Sequence, residues 1–454
     1  MKFSSSVLGV LGASVLLSSV GALELDINSP DSIKKAAKVV AGGLRKWYTG
    51  DRPGDVPGNL PDPYYWWECG AMFNAFIDYW YYTGDDQYND ITEQAMIHQA
   101  GTSSAFEPKN QTSTLGNDDQ AFWGMAAMSA AENKFPDPPE GQASWLTSAQ
   151  GVFNRQASRW NEPPESCGGG LKWQIFSFND GYNYKNTISN GCFFNIAARL
   201  YKYTGNQTYA EWAARTFDWE RSVGLMNKEY HFFDGTDSLK NCSDVNGIQW
   251  SYNAGVHMAG AAAMWNRTQS DVWRNHLEGI IKGADVFFFG DAKEIMFEVA
   301  CERNGMCDVD QRSFKAYLAR FMGYTTIVAP WTRDILLPKL QASAKAAAAQ
   351  CTAGADKSTC GLRWTNNGQN DGSFGVGEQM AAMEVMQNLL TTQVSGPVGE
   401  GTGGTSKSDP AAGGDAVPEA IVYSDITSGD KAGAGFLTTV VLIIIMGGAW
   451  WMVS

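Results

Sequence analysis

The chain has 454 residues, 44% apolar and 12% aromatic, with 34 Lys and Arg against 48 Asp and Glu for a net charge of −14. That much apolar surface builds a large folded body and excludes a largely disordered chain. An acidic chain without a Lys/Arg cluster cannot neutralise phosphates, which excludes a nucleic-acid partner.

At the amino end, Lys2 is followed by an apolar run over residues 7–17 and by the small residues Val20-Gly21-Ala22. This order predicts a secretory signal peptide over residues 1–22, the run being too short to span a bilayer. The folded body is then expected over residues 23–392.

Within the body, Gly70-Ala71-Met72-Phe73-Asn74, followed by Tyr82-Thr83-Gly84 and Tyr88, recurs without a gap as Gly191-Cys192-Phe193-Phe194-Asn195, Tyr203-Thr204-Gly205 and Tyr209. A fainter third copy begins at Tyr252-Asn253-Ala254-Gly255. Each copy has apolar residues at helical spacing, and the first two carry a Gly where a helix would be capped and turn into the next, so the unit is a helical hairpin. Further helical segments are read at 120–132, 145–160, 272–289, 314–328, 335–350 and 377–390. Alternating segments are scarce, the best strand candidates being 170–178 and 230–233. At roughly 30 residues per helix and loop, the body holds about twelve helices. Hairpins that bury one face against their neighbours must be capped or closed, and no polar capping repeat is visible. The expectation is all-α, an (α/α)6 toroid or barrel, with an open solenoid as the alternative.

Residues 393–430 turn to Gly, Ser, Thr, Pro and Ala, which predicts a flexible linker containing a GPI attachment region, with small residues at Ser424, Ser428 and Gly429. Residues 436–453 are uncharged and apolar with no basic flank behind them. A C-terminal GPI signal propeptide over 431–454 is expected, with an ordinary tail anchor as the alternative. Both ends place the protein outside the cell, GPI-anchored at the outer face of the plasma membrane or in the cell wall. The eight cysteines therefore read as disulfides, Cys301–Cys307 and Cys351–Cys360 as local pairs, and Cys69, Cys167, Cys192 and Cys242 in one of three connectivities. Sequons at Asn110, Asn206, Asn241 and Asn266 predict exposed glycosylation sites.

Four histidines, no HExxH, no GxSxG and no P-loop argue against a metal, a cofactor or a serine nucleophile. The candidate for chemistry is Leu115-Gly116-Asn117-Asp118-Asp119-Gln120, two acids at the start of an apolar helical segment. Acids at a helix N-terminus serve as ordinary caps and dipole partners. The same placement lets adjacent carboxylates point into one cleft, where they cannot both ionise easily. One then stays an anion and the other keeps its proton, which is the division retaining glycoside cleavage needs at about 5–5.5 Å separation. Aromatics at helix ends and in loops (Trp66, Trp67, Trp123, Trp173, Tyr182, Tyr184, Trp250, Tyr252, Trp364) suit the apolar faces of sugar rings. The amide-rich runs 179–186 and 366–372 suit hydroxyl binding or plain turns.

Asp118-Asp119 opening a helix, Tyr184-Lys185-Asn186 running to Ser189-Asn190-Gly191, Tyr252-Asn253-Ala254-Gly255 and the Trp66-Trp67 start together resemble glycoside hydrolase family 76, the endo-α-1,6-mannanases. The whole body and both terminal signals are similar to its fungal GPI-anchored branch, the mannan endo-1,6-α-mannosidases that cross-link wall proteins. The resemblance implies an (α/α)6 barrel and a retaining mechanism with Asp118 as nucleophile and Asp119 as acid/base. Substrate contacts are expected from Trp66, Trp67, Asn117, Trp123, Tyr182, Lys185, Asn186 and Tyr252, although Ala254 stands where many members of the family would have Gln, and no cofactor is expected. The donor would be α-mannan or a GPI glycan, and a β-glucan hydroxyl would be the acceptor in transfer. A plain hydrolase and a non-catalytic carbohydrate-binding wall protein are the alternative functions.

Overall fold

The computed structural model describes residues 22–162, 166–290, 294–354, 358–414 and 428–453. In chain order the described body forms α1 (Pro30–Arg45), α2 (Trp66–Thr83), α3 (Asn89–Ala100), α4 (Asn117–Glu132), α5 (Trp145–Arg159), α6 (Thr187–Thr204), α7 (Gln207–Ser222), α8 (Ser251–Thr268), α9 (Asp271–Gly283), α10 (Phe314–Val328), α11 (Arg333–Gln350) and α12 (Val376–Gln387). The even-numbered helices pack each on the next, and α12 returns to α2, closing a ring. The odd-numbered helices lie outside, α1 against α12 and the others against their hairpin partners. This is an (α/α)6 barrel, as expected.

The two layers have different sequences for a physical reason. Outer α1 buries one stripe, Ile33, Ala36, Ala37, Val40, Ala41 and Leu44, at the 3–4 spacing of a half-wet helix. Inner α4 is flanked on all sides and is buried along its length except at Asp119. The recurring sequence gives α2 and α6 the same 18-residue length, each ending on a left-handed glycine, Gly84 at φ 77° and Gly205 at φ 73°. Helix α8 has the same length but ends on Gln269 at φ 53°. In all three helices the fifth residue is a glycine that meets the next inner helix. A Cβ on Gly70 would lie 2.7 Å from Trp123, on Gly191 2.4 Å from His257, and on Gly255 2.9 Å from Tyr317 O.

Several expectations are corrected. Residues 170–178 are not a strand but a loop that makes one bridge, Gly116 to Gln174, and 230–233 contribute only the bridge between Met226 and Phe232. Gly169 and Gly170, at φ 112° and 92°, turn the chain where a strand would have begun. The strands that bear on the site are β1 (Tyr184–Asn186), β2 (Gly235–Asp237) and β3 (Val245–Asn246), an antiparallel sheet in that order. Cys301–Cys307 and Cys351–Cys360 are disulfides, and Cys167 pairs with Cys242. Cys69 and Cys192 are free and buried, because they sit on α2 and α6 with α4 between them. Asn110, Asn206 and Asn241 are exposed as expected, whereas Asn266 is half-buried and its amide donates to Val328 O at 2.7 Å.

The stretch following Thr392 is no free tether over its first part. Val398 N–H donates to Glu132 O, Ser406 Oγ accepts from Leu146 N–H, Asp409 N–H donates to Gln150, and Asn154 donates to Pro410 O and Ala412 O. These contacts carry the body past residue 392 and up the flank of α5. The chain divides into two units at 416/417, and the second contains helix α13 (Ser428–Val453). The expected leader up to residue 21 and the small residue Ser424 lie outside the described residues.

Candidate active site

Helix α4 begins where Gly116, in extended conformation at φ −96° and ψ 162°, is fixed by the segment opposite it. Asn117 N–H donates to Trp173 O at 2.8 Å. Asp119 reaches back to accept the Gly116 N–H at 2.7 Å, and Asp119 N–H donates to Asp118 Oδ1 at 3.0 Å. The second oxygen of Asp118 accepts from Asn186 Nδ2 at 2.9 Å. Asn186 is the N-cap of α6, so neighbouring inner helices meet at this carboxylate. The capping reading of the acid pair is met, and the geometry that caps α4 also fixes both carboxylates.

Their separation follows from Gly116. A Cβ there would stand 2.3 Å from Asp118 Oδ1 and 3.2 Å from Asp119 Oδ2. Those oxygens are thus no more than about 5.5 Å apart, too close to leave room between them for the water that inverting cleavage needs.

Both carboxyls line a cavity of about 190 Å³. Asp234 and Asp310 complete its acids, Asn186 gives an amide, and Trp67, Phe122, Trp173, Tyr184, Tyr252 and Phe314 give its apolar walls. Tyr252 stacks on Phe314 with centroids 3.9 Å apart, and Trp67 packs on Phe122 at 4.6 Å. Asp234 is held by Tyr184 Oη at 2.5 Å, Trp250 Nε1 at 2.9 Å and Asn246 Nδ2 at 3.1 Å. The lining comes from the amino ends of successive inner helices: Trp67 from α2, the acid pair from α4, Asn186 from α6, Tyr252 from α8 and Phe314 from α10.

Burial raises the proton affinity of both catalytic candidates, but unequally. For Asp118 the rise, to about 7, is opposed by the Asn186 amide and the Asp119 backbone N–H. Asp119 is pushed well above the ordinary carboxylate range by burial and by the charge of Asp118. Asp118 accepts two hydrogen bonds, from Asn186 Nδ2 and Asp119 N–H, and Asp119 accepts one, from Gly116 N–H, so the hydrogen bonding favours the anion at Asp118 over the anion at Asp119.

The other expected contacts divide. Trp67, Asn186 and Tyr252 line the cavity. Trp66 lines an adjoining groove, with its Nε1 donating to Gln99. Tyr182 lines another groove, its ring beneath the Lys172 ammonium at 3.9 Å. Three are corrected. Trp123 is fully buried between Trp66 and Phe106 as a core ring. Asn117 turns inward, donating to Lys172 O and accepting from Arg159. Lys185 is buried and donates to Ser166 O and Gly169 O, closing the loop beneath the disulfide at Cys167. Asp234 and Asp310 were missed. Asp234 lies in a loop and Asp310 caps a short 3-10 turn, and only ring closure brings them beside Asp118 and Asp119.

The model of glycosyl hydrolase family 76 matches residues 32–401. The mannan endo-1,6-alpha-mannosidase DCW1 of Saccharomyces cerevisiae is 46% identical over 451 residues, covering 99% of each chain. DFG5 of the same species, also a mannan endo-1,6-alpha-mannosidase, is 44% identical, covering 95% of this chain and 94% of that one. The structure of Dfg5 from Chaetomium thermophilum in complex with glucosamine aligns with a TM-score of 0.81 at 42% identity, over 86% of this chain and 97% of that one. At 17% identity, an inactive alpha-1,6-mannanase variant from a Salegentibacter species, with two adjacent aspartates replaced and alpha-1,6-mannotriose bound, shares the fold at a TM-score of 0.62, over 79% of this chain and 99% of that one. With its barrel, its acid pair and this family match over most of its length, the chain belongs to glycosyl hydrolase family 76.

Proposed function

We propose that this chain is a retaining endo-α-1,6-mannosidase that also transfers the cleaved glycan, with Asp118 as nucleophile and Asp119 as acid/base. The observation that carries the reading is the adjacent pair itself: two carboxylates on one helix end, facing one aromatic cavity, with Asp118 accepting two hydrogen bonds and Asp119 one. The names of the DCW1 and DFG5 relatives supply the mannan specificity.

In the first step an Asp118 oxygen bonds the anomeric carbon of an α-mannoside while the bond to the leaving oxygen breaks, and Asp119 delivers its proton to that oxygen. The mannosyl-enzyme has inverted configuration. In the second step Asp119, now an anion, takes a proton from the acceptor, whose oxygen displaces Asp118 and restores the α configuration. Water as acceptor gives hydrolysis. A β-glucan hydroxyl gives a new link, and with a GPI glycan as donor a GPI-protein becomes attached to wall glucan. The secretion and anchor signals read at the two ends would hold the enzyme at the outer face of the plasma membrane, where such donors and acceptors meet.

The test is to incubate the purified protein with an α-1,6-mannan oligosaccharide and a labelled β-glucan oligomer, alongside Asp118→Asn and Asp119→Asn. Shortened mannan that vanishes in both variants supports the mannosidase, and label joined to mannose supports transfer. Wild type that binds the mannan and leaves it intact would overturn the enzymatic reading.

A further inference from the structure

On a helix of about 3.6 residues per turn, Asn117 and Gln120 share one face of the first turn of α4, and Asp118 and Asp119 between them share the opposite one. The acids line the cavity, and Asn117 and Gln120 do not. Both amides are fully buried and meet one side chain from the outer layer of helices. Arg159, in the last turn of α5, donates from Nη1 to Asn117 Oδ1 at 2.9 Å and to Gln120 Oε1 at 2.8 Å. A single nitrogen thus holds the residue before the acid pair and the residue after it.

The guanidinium is itself fixed. Its Nη2 is ion-paired with Glu107, in the loop between α3 and α4. Glu107 also accepts from Arg155 Nε at 3.0 Å and from Gln120 Nε2 at 2.9 Å. The Arg159 and Glu107 side chains are only 10% and 2% exposed, and two charges so deeply placed add little to stability over an apolar contact of the same size. What they add is direction. The planar fork of an arginine fixes where its acceptors lie, whereas apolar surfaces can slide.

Resting on the catalytic reading of Asp118 and Asp119, we infer that Arg159 is a positioning residue for the pair. Its guanidinium sets the rotation and depth of the first turn of α4, and so the place of both carboxylates, without touching substrate. Attack by one acid and protonation by the other belong to the same step, so a shifted turn would misplace both at once. A misplacement of about 1 Å costs about a hundredfold in rate. Lysine would keep the charge beside Glu107, but its compact ammonium lacks the fork.

The test compares wild type with Arg159→Lys, Asn117→Ala and Arg155→Lys for kcat and KM on an α-1,6-mannan oligosaccharide, well below the melting temperature of each. Among the described residues Arg155 pairs with the same Glu107 but with neither Asn117 nor Gln120, so its variant reports what the ion pairing alone contributes. The expected result is a kcat tenfold or more lower in Arg159→Lys at wild-type KM, with kcat within twofold of wild type in Arg155→Lys. Asn117→Ala removes one acceptor and leaves Arg159 on Glu107. Its kcat should also fall at unchanged KM, which keeps the inference testable if Arg159→Lys does not fold. Wild-type kcat in either of these two variants would overturn the inference. An equal loss in Arg155→Lys would do the same, by making the effect one of general stability, and so would a raised KM with kcat unchanged. Wild type that leaves the oligosaccharide intact would instead bring down the mannosidase reading, and the positioning role with it.

Discussion

Asn186 donates to Asp118 across the gap between two inner helices, at 2.9 Å from the N-cap of α6 to the second residue of α4. The bond holds the Asp118 carboxylate in place and favours its charged form. Hydrogen bonds to charged groups contribute about 1.5–3 kcal/mol, so Asn186→Ala should lower kcat/KM by about tenfold to a hundredfold. Losing a donor to the anion raises its proton affinity, and the acidic limb of the pH–rate profile should move to higher pH. A lower rate with an unmoved limb would make the contact merely structural.

Gly116 needs no special backbone, since φ −96° and ψ 162° accept any L residue. What it supplies is space, for a methyl group there would press on both carboxylates and on Trp173 O, 3.1 Å away. Gly116→Ala should therefore lower kcat by about a hundredfold through misplacement of the acids, with little change in the melting temperature. Single-turnover kinetics beside a thermal melt would separate the two effects.

Glu68, in the first turn of α2, is fully buried, and burial raises its carboxyl from 4.5 to about 8. The folded state therefore holds a proton that the unfolded chain releases, and this group's contribution to stability falls as pH rises from 4.5 to about 8. Glu68→Gln removes that dependence. Denaturation at pH 5 and pH 8 should show the variant gaining on wild type at the higher pH, and an equal difference at both values would exclude the effect.

A chain ended at Thr392 should melt below one ended at Gly414. It loses Ser406 from Leu146 N–H at 2.9 Å and the Asp409 N–H from Gln150 at 2.7 Å. Buried groups left without partners cost about 1–3 kcal/mol each. Equal melting temperatures would show that these contacts add nothing.

That stretch also marks where sequence reading ends. Glycines, serines and threonines read as a tether by composition, but their backbone groups find partners on α5 that composition does not show. Local patterns were legible where local forces decide: Tyr-Thr-Gly twice marks a helix end because only glycine turns left-handed there without strain, and Gly116-Asn117 before two acids marks a helix start. The same reasoning misplaced Lys185 and Asn117, because a polar residue in a loop serves equally to bind a ligand or to satisfy buried carbonyls. Trp123 failed for a related reason: one turn past the acid pair on α4, its ring packs against Gly70 and between Trp66 and Phe106. Asp234 and Asp310 have no local signature, since their neighbours come from helices far along the chain.

The barrel turns the amino ends of α2, α4, α6, α8 and α10 toward one cavity that, among the described residues, four aspartates line and no lysine or arginine does. Each such end carries about half a positive charge from its unpaired peptide N–H groups. The countercharge for this acidic site is thus supplied by the main chain, as a field that neither titrates nor depends on any one side chain. It favours Asp118 as an anion, the state that the proposed mechanism requires of it before attack and on release from the ester. Sequence can drift widely around the ring while that field stays, provided the helices keep their direction.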